Sequence, residues 1–327
     1  MALLSTTLLQ LPVGCYRCKI VVLDPLYLPE YAGSAWRGIF GHALKRTVCV
    51  TRERDCSPCL LYRSCAYPYI FETSPPADTE RMRLYNSVPH PFLISPTPST
   101  ARCSDPGAAI ELDVMLFGRS NAYLPYVIHA FRMAGERGIG RGKGRFELAA
   151  WMQRRDRAGI EQWHTIWRLQ GRLEAQDPSV PEVPDCPETV LLDFCAPLRL
   201  KREGHLVTPE SFEFHDLYRN LLRRISMLMY FHAHHKLEAD FAGLSQASRS
   251  VEIVHKELRW KEWTRYSSRQ HTEMQMGGLL GHIELEGVGL EPFWPYLWLG
   301  QWTHAGKGTS MGLGRYTIRG TPDQENT

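Results

Sequence analysis

The residues with the clearest chemical potential are cations set among glycines in two loops. The first loop, residues 135–144, is rich in glycine and opposes its cations with Glu136 alone. Glycines let backbone amides approach phosphates closely, and the cations supply charge. The loop is not a Walker A loop, because Lys143 is followed by glycine rather than Ser or Thr. We predict that this loop binds a phosphate backbone through Arg137, Arg141, Lys143 and Arg145. The alternative is a tight turn whose charges are only solvated.

A second glycine-rich loop and a stretch upstream of it add cations and aromatic side chains. Residues 304–314 repeat the glycine pattern with fewer cations, namely Lys307 inside the loop and Arg315 directly after it. Residues 259–269 interleave Trp and Tyr with basic residues, which suits RNA because bases stack on aromatic or guanidinium planes. The alternative is an amphipathic edge strand whose Trp side chains pack inward. The predicted RNA contacts of this stretch are Arg259, Arg265 and Arg269.

Four clustered cysteines have the ligand type that zinc prefers. Cys56 and Cys59 form a C-x2-C pair, and Cys49 and Cys65 flank it. Tetrahedral zinc takes four such ligands, and a C-x2-C pair is a usual half of a structural site. The outer spacings are irregular, so unligated thiols are the alternative to a structural zinc ion.

A predicted helix over residues 35–46 carries a histidine and a lysine on its polar side. His42 and Lys45 lie three residues apart, together with Gly38 and Gly41. Two glycines cost a helix roughly 1 kcal/mol each relative to alanine. They therefore indicate either close approach of a nucleic-acid backbone or a helix-packing contact. The opposite, apolar face consists of Trp36, Ile39, Phe40, Ala43 and Leu44.

The chain repeats one module, and this repetition predicts the fold class. Each half opens with an extended apolar run, continues with a helix and closes with a glycine-rich loop that leads into a last strand. The starts at Pro25 and Pro197 and the ends at Gly144 and Gly314 are separated by nearly the same offset, near 170 residues. We therefore predict an α+β protein of tandem ferredoxin-like, RRM-like β-α-β-β-α-β domains.

The predicted domain boundaries follow from the repeat and from proline content. The first domain covers residues 1–176 and contains the cysteine-rich insertion at about residues 49–65. A proline-rich linker at residues 177–188 separates it from the second domain at 189–327, which contains the second glycine-rich loop.

Composition narrows the class of protein without assigning a function. A length of 327 residues favours two domains, and a hydrophobic fraction of 43% is that of an ordinary globular protein. The formal net charge of +3 does not itself indicate a nucleic-acid binder, so local clusters carry that argument. The sequence shows neither a signal peptide nor a run of apolar residues suited to a membrane span. The predicted location is the cytoplasm, with no membrane partner.

The C-terminal motifs resemble those of a known family. They run from Arg-Trp-Lys-Glu-Trp at 259–263 and Arg-Tyr-Ser at 265–267, through Trp-Thr-His at 302–304, to Gly-Leu-Gly at 312–314. With Gly-Ser-Ala-Trp-Arg-Gly at 33–38, they are similar to the CRISPR pre-crRNA-processing endoribonucleases of the repeat-associated RAMP superfamily. The resemblance spans most of the chain, and it implies tandem ferredoxin-like domains and cleavage within CRISPR repeat RNA.

The resemblance also implies a chemistry in which the RNA 2′-hydroxyl attacks the neighbouring phosphate, leaving a 2′,3′-cyclic phosphate and a 5′-hydroxyl. Members of the family commonly use an early histidine, sometimes with Tyr or Lys. The attack needs a base, an acid and cations near the developing phosphorane charge, and histidine suits the first two roles. The sequence has no carboxylate cluster of the two-metal nuclease type, so no catalytic cofactor is expected. The catalytic candidates are His42, His304, Tyr31 and Lys45.

The sequence supports two alternatives for His304 and two for the whole chain. His304 either takes part in catalysis or hydrogen-bonds locally to shape its loop. The whole chain is either the enzyme or a non-catalytic RNA-binding RAMP subunit of a CRISPR effector complex. In both cases the predicted partner is CRISPR repeat RNA or crRNA, with other subunits of such a complex as further partners. Arg37, in the N-terminal motif, joins the predicted RNA contacts.

Overall fold

The chain divides into two compact units. The computed structural model describes residues 9–73, 88–97, 102–157, 160–267 and 272–319, without the side chains of 157, 265–267 and 272–274. Within these ranges, an N-terminal unit spans residues 12–179 and a C-terminal unit spans most of 180–319. Leu9–Leu11 group with the C-terminal unit and Phe231–Ala233 with the N-terminal unit. Among the described helices, none combines the length and the apolar character needed to cross a membrane.

The N-terminal unit is built on a five-stranded antiparallel sheet. Alternate residues of its first strand, among them Tyr16, Cys18 and Ile20, are almost fully buried, because an extended chain points successive side chains to opposite faces. The strand order is β3-β5-β1-β6-β7. The strands are β1 Val13–Val22, β2 Leu26–Tyr27, β3 Phe92–Pro96, β4 Cys103–Ser104, β5 Ala109–Phe117, β6 Phe146–Arg157 and β7 Ile160–Arg168, with β2 and β4 forming a separate pair.

Two helices cover one face of this sheet with aromatic side chains. They are α1, Gly33–Val48, and α2, Leu124–Arg137. Phe40 of α1 stacks on Phe131 of α2 with ring centroids 5.3 Å apart. Trp36 of α1 meets Phe146 edge to face at 5.2 Å. These buried rings hold both helices against the sheet, because each removes a large apolar area from water.

The C-terminal unit repeats the same topology with a four-stranded antiparallel sheet in the order β11-β14-β8-β15. Its core includes Leu192 and Phe194 of the central strand and Leu217 and Leu221 of the long helix, all almost fully buried. The elements are β8 Thr189–Leu198, β9 Lys201–Arg202, β10 His205–Leu206, α3 Phe214–His232, α4 Phe241–Ala247, β11 His255–Lys261, β12 Thr264–Ser267, β13 Thr272–Gln275, β14 Gly278–Glu286, α5 Trp294–Thr303 and β15 Tyr316–Arg319.

Both units therefore have the ferredoxin-like arrangement, in which the second, third, first and fourth core strands lie side by side in that order. This confirms the predicted α+β fold with tandem ferredoxin-like domains. The helix predicted over residues 35–46 is longer at both ends than expected, and the N-terminal unit adds β7 beyond the basic motif.

The proline-rich segment between the units is held along its length rather than extended freely. In the N-terminal unit, Gln153 exchanges two hydrogen bonds of 3.0 Å with the backbone of Gln176. In the C-terminal unit, the indole nitrogens of Trp294 and Trp298 each donate a 2.7 Å hydrogen bond to the carbonyl oxygens of Pro184 and Glu182. The division between the units falls between residues 179 and 180.

Candidate functional site

The polar side of α1 is partly occupied by a segment that follows the cysteine-rich region. Tyr67 and Phe71 stack with ring centroids 5.5 Å apart. The Lys45 ammonium lies 5.5 Å from the centre of the Tyr67 ring. Lys45 also donates a 2.7 Å hydrogen bond to the carbonyl oxygen of Arg54. Lys45 therefore holds the cysteine-rich segment against α1, whereas His42, one turn earlier, is exposed.

The two glycines of α1 have different surroundings. A Cβ atom at Gly41 would collide with the Phe71 ring, whereas a Cβ at Gly38 would meet open space. Gly41 is thus explained by packing, which was the alternative reason for a glycine here. Gly38 leaves an uncovered patch of helix backbone near His42 on α1.

Arg37 belongs to the same aromatic arrangement and brings in a histidine that the sequence pattern did not indicate. Its guanidinium lies 4.4 Å from the centre of the Phe71 ring. Its Nη2 is 3.2 Å from His90 Nε2, and His90 Nδ1 is 2.6 Å from Thr73 Oγ1. His90 is half-buried and far from α1 in sequence, so no local spacing could reveal it. Tyr31 is half-buried just before α1.

The first glycine-rich loop lies against the turn that follows β1. The Arg141 amide donates a 3.1 Å hydrogen bond to the carbonyl oxygen of Tyr27. Gly140 has φ +73°, and a Cβ there would collide with the same carbonyl. Ile139 and Gly144 close the loop through an isolated bridge. The loop is therefore a tight, preformed turn that holds its cations in a fixed frame.

The cations of this loop fall into two groups. Arg137, Arg141 and Lys143 are exposed, and none of them takes part in an ion pair recorded within the described ranges. Arg145 instead forms a two-pronged pair with Asp24, with Nε–Oδ2 at 2.7 Å and Nη2–Oδ1 at 3.3 Å. The Arg145 hydrogen bonds lower the pKa of the Asp24 carboxyl. Arg145 is thus already partly neutralised, whereas the other three offer unpaired charge.

His304 is buried at the start of the second glycine-rich loop. It is 1% exposed, and its Nδ1 lies 3.3 Å from the carbonyl oxygen of Leu313 across the loop. Burial, with the nearby positive charges of Arg315 and Arg224, lowers the pKa of His304 to about 3. A neutral, buried imidazole cannot readily exchange protons with a bound substrate. The contacts therefore favour the loop-shaping role of His304 over the catalytic one.

The second loop also gathers cations that the sequence pattern did not single out. Lys307 is exposed, and its amide donates a 2.9 Å hydrogen bond to the carbonyl oxygen of Arg199. Its pKa is lowered by partial burial and by the neighbouring charges of Lys201, Arg199 and Arg223. Mutual repulsion of this kind identifies a local concentration of positive charge. Alignment of the two halves could have found Arg199, because it follows the first strand of its unit as residues 24–28 follow theirs.

Among the described side chains of the basic–aromatic stretch, Trp263 is buried and Trp260 is half-buried. Trp263 is 6% exposed. Trp260 lies against Gly277, where a Cβ would collide with the indole ring, and its Nε1 donates a 2.6 Å hydrogen bond to Glu262. Arg259 is exposed on β11. The side chain of Arg265 and all of Arg269 lie outside the described residues.

The four clustered cysteines line one cavity with Lys45 and Tyr67. All four are half-buried and free of disulfides. Thr51 Oγ1 lies 3.4 Å from Cys59 Sγ and 3.9 Å from Cys49 Sγ. Burial is the main cause that raises the pKa values of the Cys56 and Cys65 thiols. The sulfurs are near one another, but they are not gathered into a group whose ligand atoms all lie within 4.8 Å, as far as the described residues show.

In the N-terminal unit, the structure places an exposed histidine beside an uncovered helix surface. The same unit contains a basic glycine-rich loop. In the C-terminal unit the structure places a second such loop, whose Lys307 has three neighbouring cations. An exposed imidazole can accept or donate a proton, and loops of this kind can hold phosphates. Each unit therefore offers cations suited to binding a phosphodiester backbone, and the N-terminal unit also offers a group suited to proton transfer.

Two family models match the chain. Residues 192–316 match the CRISPR-associated endoribonuclease Cas6 family, and residues 11–178 match the AF_1859 N-terminal domain family. An uncharacterized protein of Archaeoglobus fulgidus is 27% identical over 124 residues, which are 38% of this chain and 41% of that protein. The chain therefore spans about two fifths of the length of this relative.

Solved structures share the fold at low sequence identity. A Cas6 product complex superposes with a TM-score of 0.56 at 16% identity, covering 94% of this chain and 99% of that one. Thermus thermophilus Cas6 gives a TM-score of 0.53 at 14% identity, with 94% and 98% covered. A partial Cas6-RT-Cas1–Cas2 complex gives 0.53 at 14% identity, covering 96% of this chain and 47% of that chain.

The burial of His304 predicts a specific dependence of stability on pH. Its folded-state pKa lies below its unfolded value, so the unfolded chain binds the extra proton, and stability is lost as the pH falls from about 6.5 towards 3. Through this group, the free energy of unfolding falls by at most about 1.4 kcal/mol per pH unit. His304→Asn should flatten the fall in melting temperature between pH 7 and pH 4.5, as measured by circular dichroism. His205→Asn, at an exposed site of the same unit, is the control, and equal slopes for His304→Asn and the wild type would contradict the expectation.

Proposed function

We propose that this chain is a RAMP-type CRISPR-associated processing enzyme, an endoribonuclease that cleaves CRISPR repeat RNA in its precursor transcript. The observation that carries the proposal is the match of residues 192–316 to the Cas6 family on a chain with two ferredoxin-like units. One similar solved structure is a Cas6 complex with its product, which fits the same activity.

The proposed reaction is internal transesterification without a metal ion. The 2′-hydroxyl loses its proton to a base and attacks the adjacent phosphorus, while the bond from phosphorus to the 5′-oxygen breaks. An acid protonates the leaving 5′-oxygen, so the products are a 2′,3′-cyclic phosphate and a 5′-hydroxyl. Proton transfers of this kind contribute about 10²–10⁴-fold each to the rate. The residues must therefore supply acid–base groups and positive charge, but no further reactant.

His42 is the proposed base or acid. It is exposed on α1, and the neighbouring Gly38 leaves room for a nucleic-acid backbone to approach. Tyr31, just before the helix, is the proposed group that orients the phosphate. Lys45 contacts the Arg54 carbonyl and the Tyr67 ring. Its proposed role is therefore to hold the segment packed beside His42 in place and to contribute positive charge.

The proposed RNA contacts are distributed over both units. In the N-terminal unit, Arg137, Arg141 and Lys143 carry exposed charge on the preformed loop, with Arg145 and Arg37 partly engaged by Asp24 and Phe71. In the C-terminal unit, Lys307 lies among other cations, and Arg259 is exposed on β11. Arg315, Arg265 and Arg269 complete the proposed set.

The activity itself is tested with purified protein and the repeat RNA of its own genomic array in EDTA. Two fragments should appear at an undiminished rate, because the chemistry needs only proton transfer and charge neutralisation. The upstream fragment should resist phosphatase until mild acid opens its cyclic phosphate. Absence of cutting, or a strict requirement for Mg²⁺, would contradict the proposal.

His42→Ala should slow single-turnover cleavage by at least about 10²-fold, as loss of acid–base assistance generally does. Affinity for repeat RNA should barely change, because a neutral imidazole contributes little to phosphate binding. His164→Ala, at an exposed position of β7 in the same unit, is the matched control. A His42→Ala rate within threefold of the wild type would show that the active site lies elsewhere, and His304→Ala would then be the next variant to measure.

Arg141→Ala and Lys143→Ala should weaken RNA binding without slowing cleavage of RNA that is saturated with protein. Each lost phosphate contact reduces the slope of log affinity against log salt by about 0.7 for a single strand. Arg145→Ala should reduce the slope less, because its charge is shared with Asp24. Lys236→Ala, which removes a surface cation paired with Glu238, is the control. Equal salt slopes for Arg141→Ala and the wild type would remove this loop from the interface.

A second function remains open, namely a non-catalytic RNA-binding subunit of a CRISPR effector complex. The burial of His304 and the engagement of Lys45 favour it, because they reduce the number of groups available for proton transfer. Tight repeat binding without cleavage, unaffected by His42→Ala, would support this alternative. The other subunits of such a complex remain proposed partners in either case, and the cytoplasmic location stays a prediction.

We also propose a structural zinc ion at the cysteine cluster, supported by four thiols that line one cavity. About one zinc per chain should remain after exhaustive dialysis and disappear in Cys59→Ala. That variant should melt at a lower temperature, because loss of a ligand removes folding free energy. Folded protein that remains should still cleave RNA. Cys195→Ala, at an exposed site on β8, is the control, and a zinc content near zero in the wild type would reject the site.

A further inference from the structure

Two histidines and a glutamate come together on the outward face of the C-terminal sheet. His255 and Glu257 lie on β11, and His282 lies on the neighbouring strand β14. Their possible ligand atoms all lie within 4.8 Å of one another. The two imidazole rings have centroids 5.6 Å apart and planes inclined by 32°. His282 Nε2 is 3.9 Å from Glu257 Oε2.

The sheet register explains why these three side chains meet. Glu257 lies directly opposite His282 in the antiparallel pair, and His255 is two residues before Glu257, hence on the same face. Ile283, between the outward positions of β14, is fully buried, so His282 points away from the core. The cluster is thus fixed by backbone pairing rather than by a loop, which is the kind of support that a precise site requires.

The surrounding side chains add negative charge on the same face. Glu284 pairs with His255 across the strands, and Asp193 of β8 lies opposite His282 on its other side. Asp193 is 2.7 Å from Arg319, whose charge offsets that carboxylate. The carboxylates of Glu257 and Glu284 flank the imidazoles. A cation bound at this place would reduce the repulsion between the two carboxylates.

We propose that His255, Glu257 and His282 form a binding site for one divalent transition-metal ion that joins the edge strand β11 to β14. Two imidazoles and one carboxylate suit Zn²⁺, Ni²⁺ or Cu²⁺ rather than Mg²⁺ or Ca²⁺, which prefer oxygen ligands. A tetrahedral ion with bonds of about 2.0–2.1 Å needs ligand atoms about 3.4 Å apart. Small rotations of exposed side chains supply this change, and a fourth position stays open to water.

The ion would act where the sheet is least supported. Within the described part of the chain, β11 is an edge strand that pairs with β14 and with no other strand. It also leads into residues 259–269, the basic–aromatic stretch. A metal bridge between the strands would therefore restrain the base of that stretch, independently of the cysteine cluster and of the proposed cleavage.

The test is equilibrium dialysis of the metal-stripped full chain against NiCl₂, followed by Cu²⁺ titration with electron paramagnetic resonance. The wild type should bind one more Ni²⁺ per chain than the double variant His255→Ala/His282→Ala. Bound Cu²⁺ should show coupling to two imidazole nitrogens, which the double variant loses. Ni²⁺ should also raise the melting temperature by about 2–4 °C, roughly the shift for 1 kcal/mol in a unit of this size.

Matched variants separate this site from other ligands. His164→Ala/His205→Ala, which removes two exposed histidines elsewhere, should keep the ion. Glu257→Gln, which preserves shape and removes charge, should weaken Ni²⁺ binding by at least about tenfold, since even outer partners of a metal site cost that much. An unchanged Ni²⁺ count in the double variant, or loss of that ion in Cys59→Ala instead, would overturn the proposal.

Discussion

In each unit a glycine-rich loop lies directly against the turn that follows the first strand. In the N-terminal unit Arg141 bonds to the carbonyl of Tyr27, and in the C-terminal unit Lys307 bonds to the carbonyl of Arg199. A side chain at Gly140 or Gly306 would collide with those same carbonyls. This close contact between two backbone segments directs the chain into the last core strand, which lies beside the first core strand. It also fixes where the loop cations can reach.

The same constraint explains why the two halves look alike in sequence. A loop that must approach another backbone closely needs glycine at set positions, whatever else the unit does. The nearly equal offset between the halves therefore fits a packing requirement that both units share. The cations are less constrained, so the first loop has more of them, while the second draws on Arg199, Lys201 and Arg223 from neighbouring segments.

The fold was predictable from sequence because its signals are local. Alternating apolar residues define β1, and helical spacing defines α3, so element order alone led to the ferredoxin-like arrangement. The candidate site was predictable only in part. His42 falls on the polar side of its helix as the spacing required. The roles of Lys45 and Arg37 could not be foreseen, because they depend on Tyr67 and Phe71, which approach α1 through tertiary packing.

His304 marks the limit of motif reasoning in a different way. Its position in the Trp-Thr-His motif at 302–304 made it a catalytic candidate, and its burial against the Leu313 carbonyl favours the alternative, a role in shaping the loop. Packing also explains part of the 259–269 pattern, since Trp263 belongs to the core. Burial is a property of the folded chain, and a short pattern of residue types does not determine it.

His304 also occupies the helix end that corresponds to Gly138 in the other unit. Gly138 follows α2 and His304 follows α5, the last described α-helix of each unit. Both donate their amide to the carbonyl four residues earlier, and the φ and ψ angles are 56° and 168° at His304 against 78° and 169° at Gly138. Positive φ comes at little cost to glycine and at a cost of order 1 kcal/mol to other residues. The two units thus have different residue types at an equivalent backbone position. The N-terminal unit has glycine at this position, which adopts positive φ without strain. The C-terminal unit has His304, whose backbone is strained and whose imidazole reaches across the loop.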